Sequence, residues 1–176
     1  FQTFLPSASI ILGVCGNAHG KHTQVDNTPN NRISQDTVHY VDETSVTINP
    51  QNSSNIVAAA QHFFPSPHEN VPGSLQPSYY VSTNGGTSWT EGTLSLLGFE
   101  TGADPTVAFD NNSNVYYSYL LVGPAYNKDG IYVYKSTTGG TSWLPTPYTV
   151  AYNPNSSNDL DKPTMACDVV TGSPYL

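Results

Sequence analysis

Short apolar and β-branched runs cover most of the chain, and clusters of polar, turn-forming residues separate them. The runs are rich in Tyr, Val, Thr and Ile, whereas Gly, Pro, Asn and Ser fill the spaces between them. No stretch of ten or more residues has the periodicity of an amphipathic helix. The pattern therefore predicts an all-β chain. The predicted strands span residues 44–49, 55–62, 78–83, 88–96, 105–110, 114–122, 130–136 and 142–150.

These strands belong to a repeat. Segments that resemble one another recur at spacings between 54 and 61 residues, with first strands that align at 44–49, 105–110 and 163–168. Each unit contains four strands, and a Gly-Gly pair marks the tight turn between the third and the fourth. Four antiparallel strands in a unit of this length indicate the blades of a β-propeller. About 2.3 blades are present, the third beginning at Asp161, and because such a ring cannot close we expect a fragment of a longer protein.

Two of the predicted hairpins carry the same motif. The copies are Ser82-x-Asn84-x-Gly86-x-x-Trp89 and Ser136-x-Thr138-x-Gly140-x-x-Trp143. Both resemble the Asp box, Ser-x-Asp-x-Gly-x-x-Trp, which marks BNR-repeat propellers, the sialidases (neuraminidases) among them. The resemblance covers residues 40–176 and implies a structural role for the motif, in which the small polar residue folds the hairpin and the Trp packs between strands. Asn84 and Thr138 stand where the family usually has Asp.

The residues before the repeats have a different composition. Residues 1–16 are mostly apolar but too short to span a bilayer, which takes about 20 residues, so they are predicted to be a signal peptide or a lipoprotein-type leader. Residues 12–15 resemble a lipoprotein box in which Cys15 would be lipidated. Residues 17–40 are predicted to be a polar linker, and residues 41–176 the propeller. We therefore expect a secreted protein or one attached to the cell envelope, with a lipid anchor as its only membrane contact.

Charge and side-chain chemistry narrow the range of ligands. The net charge is −8 with only five Lys and Arg residues, which argues against nucleic acid as a partner. Because strand directions alternate, one end of the blades is predicted to carry the candidate ligand-binding residues Glu43, His62, Asp104, Tyr126 and Asp161. Carboxylates beside aromatic rings suit sugar hydroxyls or a Ca²⁺ ion. Alternatively, the two Asp residues only cap turns. No other cofactor and no metal site is predicted, since His62 and His68 are too few ligands for zinc.

Three functions remain open. The first is a propeller that binds a glycan or a protein ligand. The alternative is an exo-acting glycoside hydrolase of sialidase type, for which the resemblance implies three Arg residues that clamp the substrate carboxylate, a Tyr nucleophile assisted by a Glu, and an Asp acid. The sole Arg is Arg32, about twelve residues before the first strand, and the matching position holds Glu43 or Thr44. Catalytic residues would therefore lie mostly beyond the fragment. The third function is a structural envelope module without a ligand.

Overall fold

The described part of the chain folds into two four-stranded antiparallel sheets and one two-stranded sheet. The computed structural model describes residues 32–36, 40–64, 74–155, 160–168 and 174–175. The strands are β1 (Val41–Asn49), β2 (Asn52–Phe64), β3 (Ser74–Ser82), β4 (Thr90–Thr93), β5 (Thr101–Phe109), β6 (Val115–Val122), β7 (Asp129–Ser136), β8 (Tyr148–Asn153), β9 (Ala166–Cys167) and β10 (Pro174–Tyr175). The predicted all-β class is confirmed, and in the described part of the chain the only helix is one turn at Pro124–Tyr126, too short to cross a membrane.

The two sheets have the same topology and the same register. Sheet 1 has the order β1-β2-β3-β4 and sheet 2 the order β5-β6-β7-β8, while β9 pairs with β10. Ala58 pairs with Tyr80 in sheet 1, and the corresponding Tyr117 pairs with Tyr134 in sheet 2. The four-stranded antiparallel unit predicted from the repeat is therefore present twice.

The strand ends differ from the predicted ends for identifiable reasons. Strands β1 and β5 begin three or four residues early because each continues through a β-bulge, where Glu43 and Asp104 have φ values of 49° and 51°. Strand β8 begins at Tyr148 rather than at residue 142, since Pro145 and Pro147 lack the N–H groups that pairing needs.

The turns between first and second strands are fixed by one buried side chain. Asp110 is 1% exposed, and its Oδ1 accepts hydrogen bonds from the backbone N–H groups of Asn112 (2.8 Å) and Asn114 (2.9 Å). Its Oδ2 accepts from the Asn114 amide at 2.7 Å and the Tyr116 hydroxyl at 3.2 Å. Burial opposes the charge, but these hydrogen bonds outweigh it and lower the pKa of Asp110. In sheet 1 the same turn position is occupied by Asn49, whose Oδ1 accepts from the Gln51 N–H at 2.9 Å.

The main core lies between the two sheets. Small residues of sheet 1, such as Val57 and Ala59, meet large ones of sheet 2, such as Tyr117 and Tyr119, and all four are completely buried. The Tyr117 hydroxyl donates a hydrogen bond to the Ser78 carbonyl at 3.0 Å, which ties sheet 2 to sheet 1. Alanine leaves the space that a tyrosine ring needs, so the two faces are complementary in shape.

The other face of sheet 1 has a smaller cluster. This cluster consists of the buried residues Ile33, Val41, Ala58, Ala60 and Tyr80, and Trp89 packs against it. Ile33 belongs to the segment 32–36, which we call the cover segment because it lies over this face. Several sequence predictions concern residues that the structure does not describe. These are the leader 1–16, which includes Cys15, residues 17–31 of the predicted linker, and His68.

Candidate functional site

The first Asp-box motif is held by local hydrogen bonds. The Ser82 hydroxyl accepts from the backbone N–H groups of Asn84 (3.3 Å) and Gly86 (2.8 Å). The Asn84 Oδ1 accepts from the Ser88 N–H at 2.9 Å, and the Trp89 indole donates to the Gly86 carbonyl at 3.1 Å. The side chains of this motif thus close the hairpin between β3 and β4.

The second motif repeats the hydroxyl-to-backbone bonds with Thr138 in place of Asn84, but its indole differs: Trp143 Nε1 has no hydrogen-bond partner among the described residues. The Ser136 hydroxyl accepts from the Gly140 N–H, and Thr138 Oγ1 accepts from the Ser142 N–H, both at 2.9 Å. The Trp143 ring packs edge-on against Tyr79 of sheet 1, with ring centroids 5.5 Å apart. Trp143 and Trp89 lie on equivalent faces of their sheets, but only Trp143 is covered by a neighbouring sheet. The polar side chains of both motifs therefore make hydrogen bonds within their own hairpins.

Three segments, one from each repeat, converge at the bulges of the first strands. At the equivalent position of each segment stands a residue with positive φ: Glu43, Asp104 and Lys162. Each of these residues is hydrogen-bonded to the one in the neighbouring segment. The Asp104 N–H donates to Glu43 Oε2 at 3.0 Å across 61 residues, and the Lys162 N–H donates to Asp104 Oδ2 at 3.4 Å across 58 residues. Residues 43–45, 104–106 and 162–164 line a cavity of about 310 Å³, which we call the bulge pocket.

The charged groups of the bulge pocket influence one another. Lys162 Nζ lies 3.1 Å from Asp104 Oδ1 and 3.4 Å from Glu43 Oε1. The hydrogen bond to the Asp104 side chain, partial burial and the repulsion of that carboxylate raise the pKa of Glu43. Burial opposes ionisation of Asp104, but hydrogen bonds from Glu43 and Lys162 outweigh it and lower its pKa. The hydrogen bond to Asp104 raises the pKa of Lys162. Glu43 is therefore the carboxyl group of this pair that accepts a proton first.

Hydroxyl side chains of β1 hold the neighbouring first strand beside it. Ser45 Oγ accepts from the Val107 N–H at 3.2 Å, and Thr47 Oγ1 accepts from the Phe109 N–H at 3.3 Å. These bonds join the edge strands of two different sheets and fix the distance across the bulge pocket.

The structure brings together two of the five predicted site residues. Glu43 and Asp104 share the bulge pocket, whereas the third member is Lys162 rather than the exposed Asp161. The alignment of 105–110 with 163–168 already places Lys162 opposite Asp104, because the residue before each proline occupies the bulge. Choosing candidates by their acidic side chains led to Asp161 instead. Tyr126 is 73% exposed in the single helical turn and does not line the bulge pocket.

His62, the remaining predicted residue, belongs to a second cavity. It is buried, and its Nε2 lies 3.0 Å from Asp36 Oδ2 of the cover segment. This cavity, which we call the flank pocket, has a volume of about 430 Å³ and lies on the face of sheet 1 that the cover segment overlies. Sequence patterns gave no signal for it, because its walls come from segments far apart in the chain.

The side chains that commonly bind metals are scattered in the described part of the chain. Within the ranges that the structure describes, no three His, Cys, Asp or Glu side chains form a group that could hold an ion. Cys167 is a free thiol, half-buried rather than fully buried, and burial raises its pKa to about 11.

No protein-family model matches this chain, and comparison with curated proteins gives no match either.

Proposed function

We propose that the chain is part of a secreted or cell-surface β-propeller of the Asp-box type that binds a glycan in the bulge pocket. The observation that carries the proposal is the convergence of three repeated segments, 43–45, 104–106 and 162–164, on one cavity. A site built by every repeat needs the repeats to be arranged around it, as the blades of a propeller are arranged around its axis.

The packing of the first strands supports this architecture. Strand β5 contacts β1 on one side and β9 on the other, so the three first strands are neighbours. Val46 and Ile48 of sheet 1 are 42% and 51% exposed, whereas Val107 and Phe109, at the same positions of sheet 2, are 5% exposed because sheet 1 covers them. A further blade over sheet 1 would bury the exposed pair in the same way.

The chemistry of the bulge pocket suits a ligand rich in hydroxyl groups. Glu43 and Asp104 provide acceptors, Lys162 Nζ provides donors, and hydroxyls such as that of Ser45 do both. A cavity with a few polar groups that point inward is the usual form of a small-ligand site, and sugars satisfy donors and acceptors at the same time.

The same pocket disfavours an acidic sugar and hence the sialidase-type alternative. Two carboxyl groups lie where a clamp of Arg residues would be needed to hold a substrate carboxylate. Arg32 is exposed in the cover segment and does not line this pocket. Binding without hydrolysis is therefore the function that the geometry supports best.

The test is a glycan array probed with the wild-type chain, E43Q and T106V. E43Q keeps an acceptor for the Asp104 N–H, and T106V removes one hydroxyl at constant shape. E100Q, the same change at an exposed site, is the matched control. Replacing a charged acceptor by a neutral one weakens a hydrogen bond by about 1 kcal/mol, so E43Q should bind about fivefold more weakly than E100Q.

Three outcomes would contradict the proposal. The first is no retained glycan, and the second is a glycan whose binding E43Q and T106V leave unchanged. The third is release of the fluorophore from a fluorogenic sialoside by the wild-type chain, which would favour the hydrolase.

A further inference from the structure

The flank pocket is a polar cavity in sheet 1. At the equivalent positions of sheet 2, large side chains are packed together and fill the corresponding space. In sheet 2, the positions on the face toward sheet 1 hold Tyr119, Leu121 and Tyr132, which pack against sheet 1 or line that interface. The register-matched positions of sheet 1 are small or polar. They are Ala60, His62 and Ser78. The volume that large apolar side chains fill in one repeat is therefore left open, with polar walls, in the other.

Two buried hydroxyl groups in this cavity have no hydrogen-bond partner among the described residues. Ser78 is 2% exposed and Tyr80 0% exposed, and both line the flank pocket. Neither Ser78 Oγ nor the Tyr80 hydroxyl has a hydrogen-bond partner in the part of the chain that the structure describes; Ser34 lies close to Tyr80 without meeting hydrogen-bond geometry. A buried hydroxyl without a partner is unfavourable, so these two groups point to a bound molecule that satisfies them.

The rest of the wall supplies negative charge. Asp36 and Glu91 both line the cavity, and the described residues that line it include no Lys or Arg. Arg32 of the cover segment does not line it, although its charge acts on the Tyr80 hydroxyl. Both carboxylates are held in position, because Asp36 Oδ2 lies 3.0 Å from His62 Nε2 and Glu91 Oε2 accepts from the Gln35 N–H at 3.0 Å. Two fixed carboxylates and two free hydroxyls favour a cation that also carries hydroxyl groups.

The flank pocket contains the residue types of a nucleophilic triad, namely Ser78, His62 and Asp36. Their hydrogen bonds are not those of a triad. Ser78 Oγ makes no hydrogen bond to any described residue, so His62 does not activate it.

We propose that the flank pocket binds a small primary ammonium compound with neighbouring hydroxyl groups, the chemistry of an amino sugar with a free amine. The ammonium group lies between Asp36 and Glu91, and the hydroxyls of the ligand meet Ser78 and Tyr80. This site is independent of the glycan site proposed above, because the two pockets share no residue.

The experiment is a titration of the isotope-labelled chain followed through its backbone amide signals. Glucosamine is the probe, and N-acetylglucosamine, which has the same ring without a charged amine, is the matched control ligand. We expect glucosamine to shift the amides of β3 and β4 saturably, with a Kd at least about tenfold lower than that of N-acetylglucosamine.

Substitutions of residues that line the flank pocket test whether glucosamine binds there. E91Q keeps an acceptor for the Gln35 N–H while removing the charge, and Y80F removes one hydroxyl at constant shape. We expect each to raise the Kd for glucosamine several-fold, whereas E100Q leaves it unchanged. S78Y copies Tyr132 of sheet 2 and should abolish binding by filling the cavity.

The result that would overturn the proposal is either no saturable shift with glucosamine or equal affinity for both sugars. Unchanged binding in both E91Q and Y80F would also overturn it. Because those two variants retain the shape of the wall, the conclusion does not depend on S78Y folding.

Discussion

Replacing Gly140 by alanine tests the packing between the two sheets. Gly140 has φ +93°, and a Cβ atom there would lie 2.7 Å from Val57 Cγ2 and 3.1 Å from Val81 Cγ2 of sheet 1. Gly86 holds the same place in the first motif with φ +88°, but there the nearest atoms would be 3.8 Å and 3.9 Å away. The two glycines form a matched pair that differs in the neighbouring sheet.

The expected magnitudes follow from this difference. Both substitutions place a side chain in the left-handed region, which costs about 1–2 kcal/mol. Only G140A also forces atoms into a filled interface, which costs about a further 1–3 kcal/mol. The free energy of unfolding should therefore fall by that additional amount in G140A relative to G86A.

Urea unfolding, followed by tryptophan fluorescence and by circular dichroism, measures both losses. The m-values should be the same for the two variants if the folded and unfolded states are otherwise unchanged. Equal losses of stability would show that residue 140 does not contact Val57 and Val81, and would refute the close packing of the two sheets.

Three further predictions concern single side chains. D110N should lower the free energy of unfolding by about 1–3 kcal/mol at pH 7. Because the pKa of Asp110 is lowered from 3.8, its contribution is present above pH 3.8 and is lost as the pH falls through the folded-state pKa, so urea titrations should show the deficit shrinking below pH 3.8. Y117F should cost about 1 kcal/mol by removing the hydrogen bond to the Ser78 carbonyl, whereas Y126F, at a residue 73% exposed, should have no measurable effect on the melting curve. Alkylation of Cys167 by iodoacetamide, followed by peptide mass, should be slow at pH 7 and accelerate towards pH 11; a rate at pH 7 equal to that of glutathione would contradict this.

The sequence identified the repeating unit because its signals are local. The Gly-Gly pairs and the aligned tryptophans mark the turns between third and fourth strands, and runs rich in Tyr, Val and Thr mark the strands between them. The late start of β8 was also accessible, since Pro145 and Pro147 cannot pair. By contrast, the bulges at Glu43 and Asp104 place non-glycine residues at positive φ, which no local pattern indicates.

The two pockets were predictable to different degrees. Acidic residues before successive first strands pointed to Glu43 and Asp104 of the bulge pocket, whereas Asp161, Tyr126 and His62 do not line it and Lys162 was missed. The flank pocket depends on the meeting of the cover segment with β2, β3 and β4, so its walls are brought together by tertiary packing alone. Its polar character becomes visible only when Ser78 is compared with Tyr132 in matched register.

The hydroxyls of Ser45 and Thr47 have a consequence for solubility. Strand β5 is an edge strand, and an open edge offers backbone N–H groups to any other extended chain, which promotes intermolecular pairing and fibrillar assembly. The two hydroxyls occupy the N–H groups of Val107 and Phe109, so that edge is closed by side chains of the preceding repeat without a fifth strand. Sheet 1 thus shields the exposed edge of sheet 2 from pairing with another molecule.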